Sequence, residues 1–252
     1  MSNVLNGKEI ENLKVSGKIL KDSLNEVKNA IKPGISTLEL DKIAEDAIVR
    51  QGAIPSFKDY EVKGSGSFPA SLCISVNDEV VHGLPTERVI KDGDVVSLDL
   101  GAIYNGMCTD MAVTVAVGEV DTNIKKLISV TRDSLNLGIS EAKAGNFIGD
   151  IGNAVQTYAE KNKFGVVRDL VGHGIGVEPH MQPSIPNFGK KGSGAEIVEG
   201  MALAIEPMLT EGNYNVKVGR DGWTVLTRDG SIAAHFEHTI VIVGGKPLVV
   251  TQ

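Results

Sequence analysis

The spacing of apolar residues predicts two helices in the first fifty or so positions. One apolar stripe recurs at alternating steps of three and four residues, like one face of a helix: Ile10, Leu13, Gly17, Leu20, Leu24, Val27 and Ile31. Pro33-Gly34 ends this helix. Ser36 and Glu39 form a capping box that begins a second helix, which runs to about Gly52. A coiled coil is the weaker alternative for the first helix, because the pattern lasts barely three heptads.

A second pair of helices is predicted from about residue 122. The first of them ends before Gly145, and its apolar positions are Ile124, Leu127, Ile128, Leu135 and Ile139. The second ends before Gly165, and its apolar positions are Ile148, Ile151, Val155 and Tyr158. The chain therefore repeats a helix–helix plan, with one pair of helices in each half.

Each half also contains an apolar strand with an acidic residue inside it. The predicted strands cover residues 94–100 and 201–207. Asp99 lies six residues after Gly93, and Glu206 lies six residues after Gly200. Because matched acids stand at equal offsets from matched glycines, an internal duplication is favoured over a chance similarity of two αβ halves.

Further polar residues also occur once in each half. A His-Gly dipeptide precedes each strand, at His82 and His173, and a second acid follows each strand, at Asp110 and Glu237. Two halves related by a pseudo-twofold axis would bring both pairs of acids together at the middle of the molecule. The sequence therefore predicts a cluster of four carboxylates, joined by His173 from a glycine-rich loop.

Such a cluster requires compensation for its charge. An acid in an apolar strand is costly unless it is paired or bound to a metal, and these four acids have no lysine or arginine beside them in the sequence. A single buried acid is most often a satisfied hydrogen-bond acceptor. Four carboxylates with one histidine suit two divalent ions such as Mn(II), Fe(II) or Co(II), which together can activate a water molecule at neutral pH.

Composition narrows the class of protein. The chain has 252 residues, 42% of them hydrophobic, and its net charge of −7 argues against a nucleic-acid groove, which needs a basic stripe. Two cysteines without CxxC spacing argue against a disulfide framework or a structural zinc site. The polar stretch 1–11 predicts no secretory signal, and an apolar run of membrane-spanning length is missing. We therefore expect a cytoplasmic protein that binds neither nucleic acid nor membrane.

Other catalytic designs are missing from the sequence. It contains no GxSxG nucleophile elbow, no GxxxxGK[ST] phosphate loop and no GxGxxG after a strand. Cys73 is better explained as a buried inert thiol than as a nucleophile. His82 and His180 flank turns rich in glycine and proline, where functional groups are often displayed, so they are candidates for contacting a substrate. For His238 a structural role is the best explanation.

Six motifs follow one another along the chain: Val81-His82-Gly83-Leu84-Pro85, Leu98-Asp99-Leu100-Gly101, Thr109-Asp110, Gly172-His173-Gly174-Ile175-Gly176, Ile205-Glu206-Pro207-Met208 and Phe236-Glu237-His238-Thr239. In this order they resemble the signatures of one enzyme family, the type I methionine aminopeptidases. The resemblance runs from about residue 8 to the end. It implies an α+β pita-bread fold, in which helices back a pseudo-twofold antiparallel sheet. It also implies a single catalytic domain over 1–252, made of halves at about 8–120 and 121–252.

The resemblance also implies a role for each residue of the site. It implies five ligands for two divalent ions (Co, Mn, Fe(II) or Zn): Asp99, Asp110, His173, Glu206 and Glu237. Of these, Asp110 and Glu237 are implied to bridge the two ions. The implied catalytic residues are His82, His180 and Glu206; the two histidines contact the substrate, and Glu206 moves a proton to the leaving amine. The implied methionine pocket consists of Phe68, Cys73 and Trp223.

The implied function is removal of the initiator methionine from nascent polypeptides near the ribosome, when the second residue is small. The resemblance implies a monomer of the minimal bacterial form. The sequence departs from the family pattern at Pro179, Met181 and His235, and in a longer spacer from Tyr60 to Phe68. The alternatives are an Xaa-Pro-type aminopeptidase and a non-catalytic binding protein of the same fold.

Overall fold

The structure is a computed structural model that describes residues 4–62 and 66–252. The middle of the spacer between Tyr60 and Phe68 lies outside the described residues, as do the first three residues of the N-terminal stretch that predicts no signal. None of the helices within the described ranges has the length and apolar character needed to cross a membrane.

The secondary structure alternates helix pairs with groups of strands. The helices of the described chain are α1 (Gly7–Ala30), α2 (Thr37–Arg50), α3 (Thr122–Glu141) and α4 (Ile148–Lys161). The strands before α3 are β1 (Ile54–Pro55), β2 (Glu61–Val62), β3 (Gly66–Ser67), β4 (Leu72–Val76), β5 (Glu79–Val81), β6 (Val95–Tyr104) and β7 (Met107–Ala116). The strands after α4 are β8 (Gly165–Val166), β9 (Gly172–Gly174), β10 (Met181–Ile185), β11 (Ala202–Ile205), β12 (Met208–Thr210), β13 (Val216–Val218), β14 (Val225–Thr227), β15 (Ala233–His235), β16 (Glu237–Val243) and β17 (Lys246–Val249).

All four predicted helices are confirmed, and side chains cap the first two. The predicted capping box of α2 is present, because the Glu39 N–H donates to Ser36 Oγ and the Ser36 N–H donates to Glu39 Oε2. At the start of α1, Asn6 and Glu9 exchange the same two hydrogen bonds, which the apolar stripe alone did not predict. At both helices this reciprocal pair satisfies two of the N–H groups that a helix start leaves free.

One antiparallel sheet runs through both halves of the chain. Its strands lie in the order β1-β6-β7-β16-β11-β9-β10, while β4 also pairs with β6 and β17 with β16. The two halves meet where β7 pairs with β16, with Ala112 opposite Glu237 and Met111 opposite His238. The residues around this junction therefore come from both halves.

The helices cover one face of the sheet and fix which side chains point toward them. Helix α1 contacts β6 and β7, and α3 contacts β11 and β16. Leu98 and Leu100 of β6 lie in the core cluster formed with α1 and α2, and Leu203 and Ile205 of β11 lie in the corresponding cluster of the second half. Since side chains alternate along a strand, Asp99 lies on the face away from the helices.

Two sequence expectations about local structure were wrong. Glu206 does not lie inside a strand, because β11 ends at Ile205 and β12 begins at Met208; Pro207 has no N–H to continue the ladder. His173 does not lie in a loop but in the middle of β9, which pairs with β11. The glycines around His173 therefore belong to a short strand.

Candidate metal centre

Strand register places three of the predicted ligands on one face of the sheet. Ala112 of β7 lies opposite both Asp99 of β6 and Glu237 of β16. Directly opposed residues point to the same face, as do residues two apart on one strand. Asp110 lies two residues before Ala112, so its carboxylate points to the same side as those of Asp99 and Glu237.

The second half of the sheet adds the other two predicted ligands. Ala204 of β11 lies opposite both Thr239 of β16 and His173 of β9, and Glu206 follows two residues later. Nε2 of His173 comes within 3.6 Å of Glu206 Oε1. All five residues therefore meet on the face away from the helices, at the junction of the two halves.

Two groups of three side chains have the spacing of metal ligands. One ligand atom from each of Asp110, His173 and Glu237 lies within 4.8 Å of the other two. The same holds for Glu206, His235 and Glu237. Glu237 belongs to both groups, so it can offer an oxygen to each of two ions. His235 was not among the predicted ligands.

Burial makes this centre strongly unfavourable for uncompensated charge. Asp99, Asp110 and Glu237 are 8%, 4% and 2% exposed. Burial raises the pKa of Asp99 to about 7. It also raises the pKa values of Asp110, Glu206 and Glu237, which the charges of neighbouring acids raise further. In residues 4–62 and 66–252, histidines are the only basic side chains that pair with these acids.

Unsatisfied oxygen atoms show that divalent ions fit this centre. Oδ1 of Asp99 and Oε1 of Glu237 are buried without a hydrogen-bond partner in the described part of the chain, whereas buried polar atoms are normally bonded. Carboxylate oxygens and imidazole nitrogen are suitable donors for Mn, Fe, Co and Zn ions. The residues present therefore match the two-ion centre that the sequence predicts.

The hydrogen bonding and the lowered pKa of His173 suit it to act as a metal ligand. Its Nδ1 lies 3.0 Å from the carbonyl oxygen of Gly174, so the Nδ1–H donates there and Nε2 keeps a free lone pair toward Glu206. Burial lowers the pKa of His173 to about 3, which leaves the ring neutral at physiological pH. A neutral imidazole fixed through its other nitrogen is the usual form of a metal-bound histidine.

A cavity of about 540 Å³ opens onto the centre. All ten predicted site residues line it: Phe68, Cys73, His82, Asp99, Asp110, His173, His180, Glu206, Trp223 and Glu237. The rings of Phe68 and Trp223 meet edge to face, with centroids 5.1 Å apart, and Cys73 packs in the same apolar cluster. Burial raises the pKa of the Cys73 thiol well above its usual value, so its inert role fits the structure.

The two candidate substrate-binding histidines lie beside the metal ligands. The His180 ring centroid is 4.4 Å from that of His173. His82 follows β5 with a φ of 57°, and Gly83 after it packs so closely on the Ile74 carbonyl that a side chain there would overlap it. Burial, and next the charge of His180, lower the pKa of His82 to about 4. Both rings can thus exchange hydrogen bonds with a substrate.

Several cavity residues were not found from the sequence. Phe57 and Tyr60 line the cavity from the segment after β1, and Val225 lines it from β14; the Tyr60 ring lies 5.2 Å from that of His180. These positions belong to short, irregular segments that show no periodic pattern. His238 points elsewhere, since its Nδ1 lies 2.9 Å from Thr251 Oγ1, in agreement with its predicted structural role.

Comparison with proteins of known family identifies the family to which this chain belongs. Residues 11–243 match metallopeptidase family M24. The chain is 48% identical over 249 residues to a methionine aminopeptidase of Clostridium acetobutylicum, covering 98% of each chain. It is 49% identical over 235 residues to methionine aminopeptidase 1 of Bacillus subtilis, covering 93% of each. The chain belongs to metallopeptidase family M24, among the methionine aminopeptidases.

Solved structures agree with this membership of the M24 family. The crystal structure of a methionine aminopeptidase from Thermotoga maritima superposes with a TM-score of 0.96 at 43% identity and covers all of both chains. The Xaa-Pro dipeptidase of Bacillus anthracis matches less well, with a TM-score of 0.79 at 25% identity, and the chain covers 62% of it. The predicted pita-bread fold, metallopeptidase class and divalent-metal cofactors are therefore confirmed, and neither alternative function is favoured.

The raised pKa of Asp99 predicts that Asp99→Asn changes the free energy of unfolding of the metal-free protein in a pH-dependent way. A carboxyl whose pKa rises on folding stabilises the fold below its unfolded pKa, near 4, and loses that contribution as pH rises through about 7. Asparagine stays neutral throughout. Urea unfolding in chelator should therefore show that the variant gains stability over the parent between pH 4 and pH 8, by about 4 kcal/mol.

Asp46→Asn, which removes an exposed charge from α2, is the matched control for loss of one negative charge. A stability difference between Asp99→Asn and the parent that stays constant from pH 4 to pH 8 would show that Asp99 is not held in an unfavourable environment.

Proposed function

We propose that Asp99, Asp110, His173, Glu206 and Glu237 hold two divalent ions with which the protein removes the N-terminal methionine from polypeptides. The observation that carries this proposal is the group of three buried acids and the half-buried Glu206, which lines the cavity. Two of its oxygens have no hydrogen-bond partner among the described residues. Asp110 and Glu237 would help to hold both ions. Ions bound here would polarise the scissile carbonyl and lower the pKa of the attacking water.

The methionine side chain binds between Phe68, Trp223 and Cys73. The two rings stand edge to face at 5.1 Å, and all three side chains belong to one apolar cluster. Methionine is flexible and polarizable, so its thioether gains from contact with aromatic rings. This binding places the amino end of the substrate near the acids and the first carbonyl near the histidines.

Three side chains then act on the peptide bond. His180 donates a hydrogen bond to the carbonyl oxygen as negative charge develops on it. His82 holds the nitrogen side of the scissile bond. Glu206 accepts a proton from the attacking water at a carboxylate oxygen and passes it to the leaving amine.

The setting proposed for this activity is the cytoplasm, close to the ribosome, where new polypeptides first expose their N-terminal methionine. Two buried free thiols, Cys73 and Cys108, are consistent with a reducing compartment. We propose a monomer with one catalytic domain of two halves, 8–120 and 121–252. The continuous sheet supports this, since β7 and β16 pair across the boundary.

Removing the metal should abolish hydrolysis of a Met-Ala-Ser peptide, and Mn, Fe(II) or Co should restore it. Asp110→Asn should lose metal affinity as well as rate, because Asp110 is proposed to contact both ions. Metal content is measured by atomic absorption, and the exposed Glu160→Gln serves as the control for charge. Full activity in metal-free protein would disprove the two-ion mechanism.

His180→Ala should bind metal almost normally while kcat/KM falls by about 10²-fold, the usual cost of deleting an oxyanion donor. His180→Asn, which keeps an N–H donor, should recover part of that loss. Peptide hydrolysis and metal content are measured on the same preparations. Loss of metal from His180→Ala would mean that His180 is itself a ligand.

The enzyme should prefer a small second residue. Near His82 and the acids, a large second side chain would displace the scissile carbonyl, and a displacement of about 1 Å can cost ~10²-fold in rate. Met-Ala-Ser should therefore exceed Met-Leu-Ser in kcat/KM by at least about 10²-fold. An N-terminal norleucine should be accepted moderately well, since an apolar pocket discriminates by only ~1–3 kcal/mol per methylene.

The control for this specificity is an Ala-Pro peptide, which tests the Xaa-Pro alternative directly. Efficient cleavage of Ala-Pro, or a preference for Met-Leu-Ser over Met-Ala-Ser, would contradict the proposed specificity.

A further inference from the structure

His235 is a buried histidine beside the metal centre that lies outside the proposed set of ligands. It is 1% exposed, and within residues 4–62 and 66–252 neither of its ring nitrogens has a hydrogen-bond partner. A buried imidazole is normally bonded through at least one nitrogen, and leaving it unbonded is costly. The ring nitrogens therefore need a bonding partner other than the protein or bulk water.

The distances around His235 fit metal ligands better than hydrogen bonds. Its Nε2 lies 3.7 Å from Glu206 Oε2 and 4.0 Å from Glu237 Oε2. Hydrogen bonds between nitrogen and oxygen span about 2.7–3.2 Å. Ligands held roughly 2.1 Å from one ion stand about 3–4.2 Å apart, which covers both distances.

His235 also stands in the same relation to Glu206 as His173 does. Nε2 of His173 lies 3.6 Å from one oxygen of Glu206, and Nε2 of His235 lies 3.7 Å from the other. Glu206 thus lies between two imidazoles. Because Glu237 belongs to both groups with ligand spacing, His173 and His235 each complete one of two groups that share a carboxylate.

The backbone holds the His235 ring in this place. Thr114 Oγ1 accepts a hydrogen bond from the His235 N–H at 2.8 Å and donates one to the His235 carbonyl at 2.7 Å. His235 also lies opposite Met208 in the β12–β15 pair. With its backbone fixed from two strands, the residue presents Nε2 to the carboxylates as a preformed donor.

We propose that Nε2 of His235 is a nitrogen ligand of the ion held by Glu206 and Glu237, so that the centre has two histidines. This inference rests on the two-ion centre of the proposed function and adds a ligand to it. Imidazole suits Fe, Co and Zn, whereas oxygen ligands suit Mn and Mg. The second imidazole should therefore shift the preference of the centre toward Fe(II), Co(II) or Zn(II).

X-ray absorption of the full chain loaded with two equivalents of Co(II) tests the proposal, because scattering from the imidazole ring counts histidines bound per ion. With His173 and His235 both bound, the parent should show about one imidazole per ion. His235→Gln should show about half as many. His238→Gln removes a histidine that bonds Thr251 instead, so it should leave the count unchanged.

Titration calorimetry gives a second measurement. His235→Gln should weaken binding of one Co(II) equivalent at least tenfold, within the ~10–100-fold range seen when support for a metal is lost, while His238→Gln should not. A parent count of about half an imidazole per ion, unchanged in His235→Gln, would overturn the His235 assignment and leave the proposed centre standing. A count near zero would overturn both, and the parent measurement needs no variant to fold.

Discussion

An electrostatic constraint governs the centre, because three buried carboxylates and the half-buried Glu206 crowd together on a single face of the sheet. Each has a raised pKa caused by burial, and the pKa values of Asp110, Glu206 and Glu237 are raised further by the charges of neighbouring acids. Ionised groups in such a place need compensating positive charge. Divalent ions bound here would supply that charge, so the features that make the cluster unfavourable alone suit it to the metal site that we propose.

The fold satisfies this constraint through the alternation of side chains along antiparallel strands. The apolar residues that flank Asp99 face the helices and form a rigid core, so the acid must face the other way. The β7–β16 pair then brings the acids of both halves to one place. Because every ligand stands on a strand or directly beside one, the centre is positioned by the packing of the whole sheet. The cavity that opens onto the centre is lined mainly by side chains outside this arrangement, such as Phe68 and Trp223.

Much of this arrangement could be predicted from regular patterns in the sequence. The helices follow from their apolar stripes, and the equal offsets of Asp99 and Glu206 from their glycines pointed to a shared site. The remaining features depend on contacts between residues that are distant in the sequence, which no local pattern predicts. Tyr60 reaches the cavity from an irregular segment, and the position of His235 is set by Thr114, which is 121 residues distant in sequence. Likewise, His173 lies in a strand only because β9 pairs with β11.

Metal ions should stabilise the fold by compensating the buried acids, and thermal unfolding at pH 7.5 measures that stabilisation. Metal at about 100 times its Kd should add ~2.7 kcal/mol, which for a chain of this size raises Tm by roughly 5 to 10 °C over the chelated protein. Glu237→Gln should lose most of that increase, because Glu237 belongs to both groups of ligands. An equal Tm for the parent with and without Mn(II) or Co(II) would contradict the account.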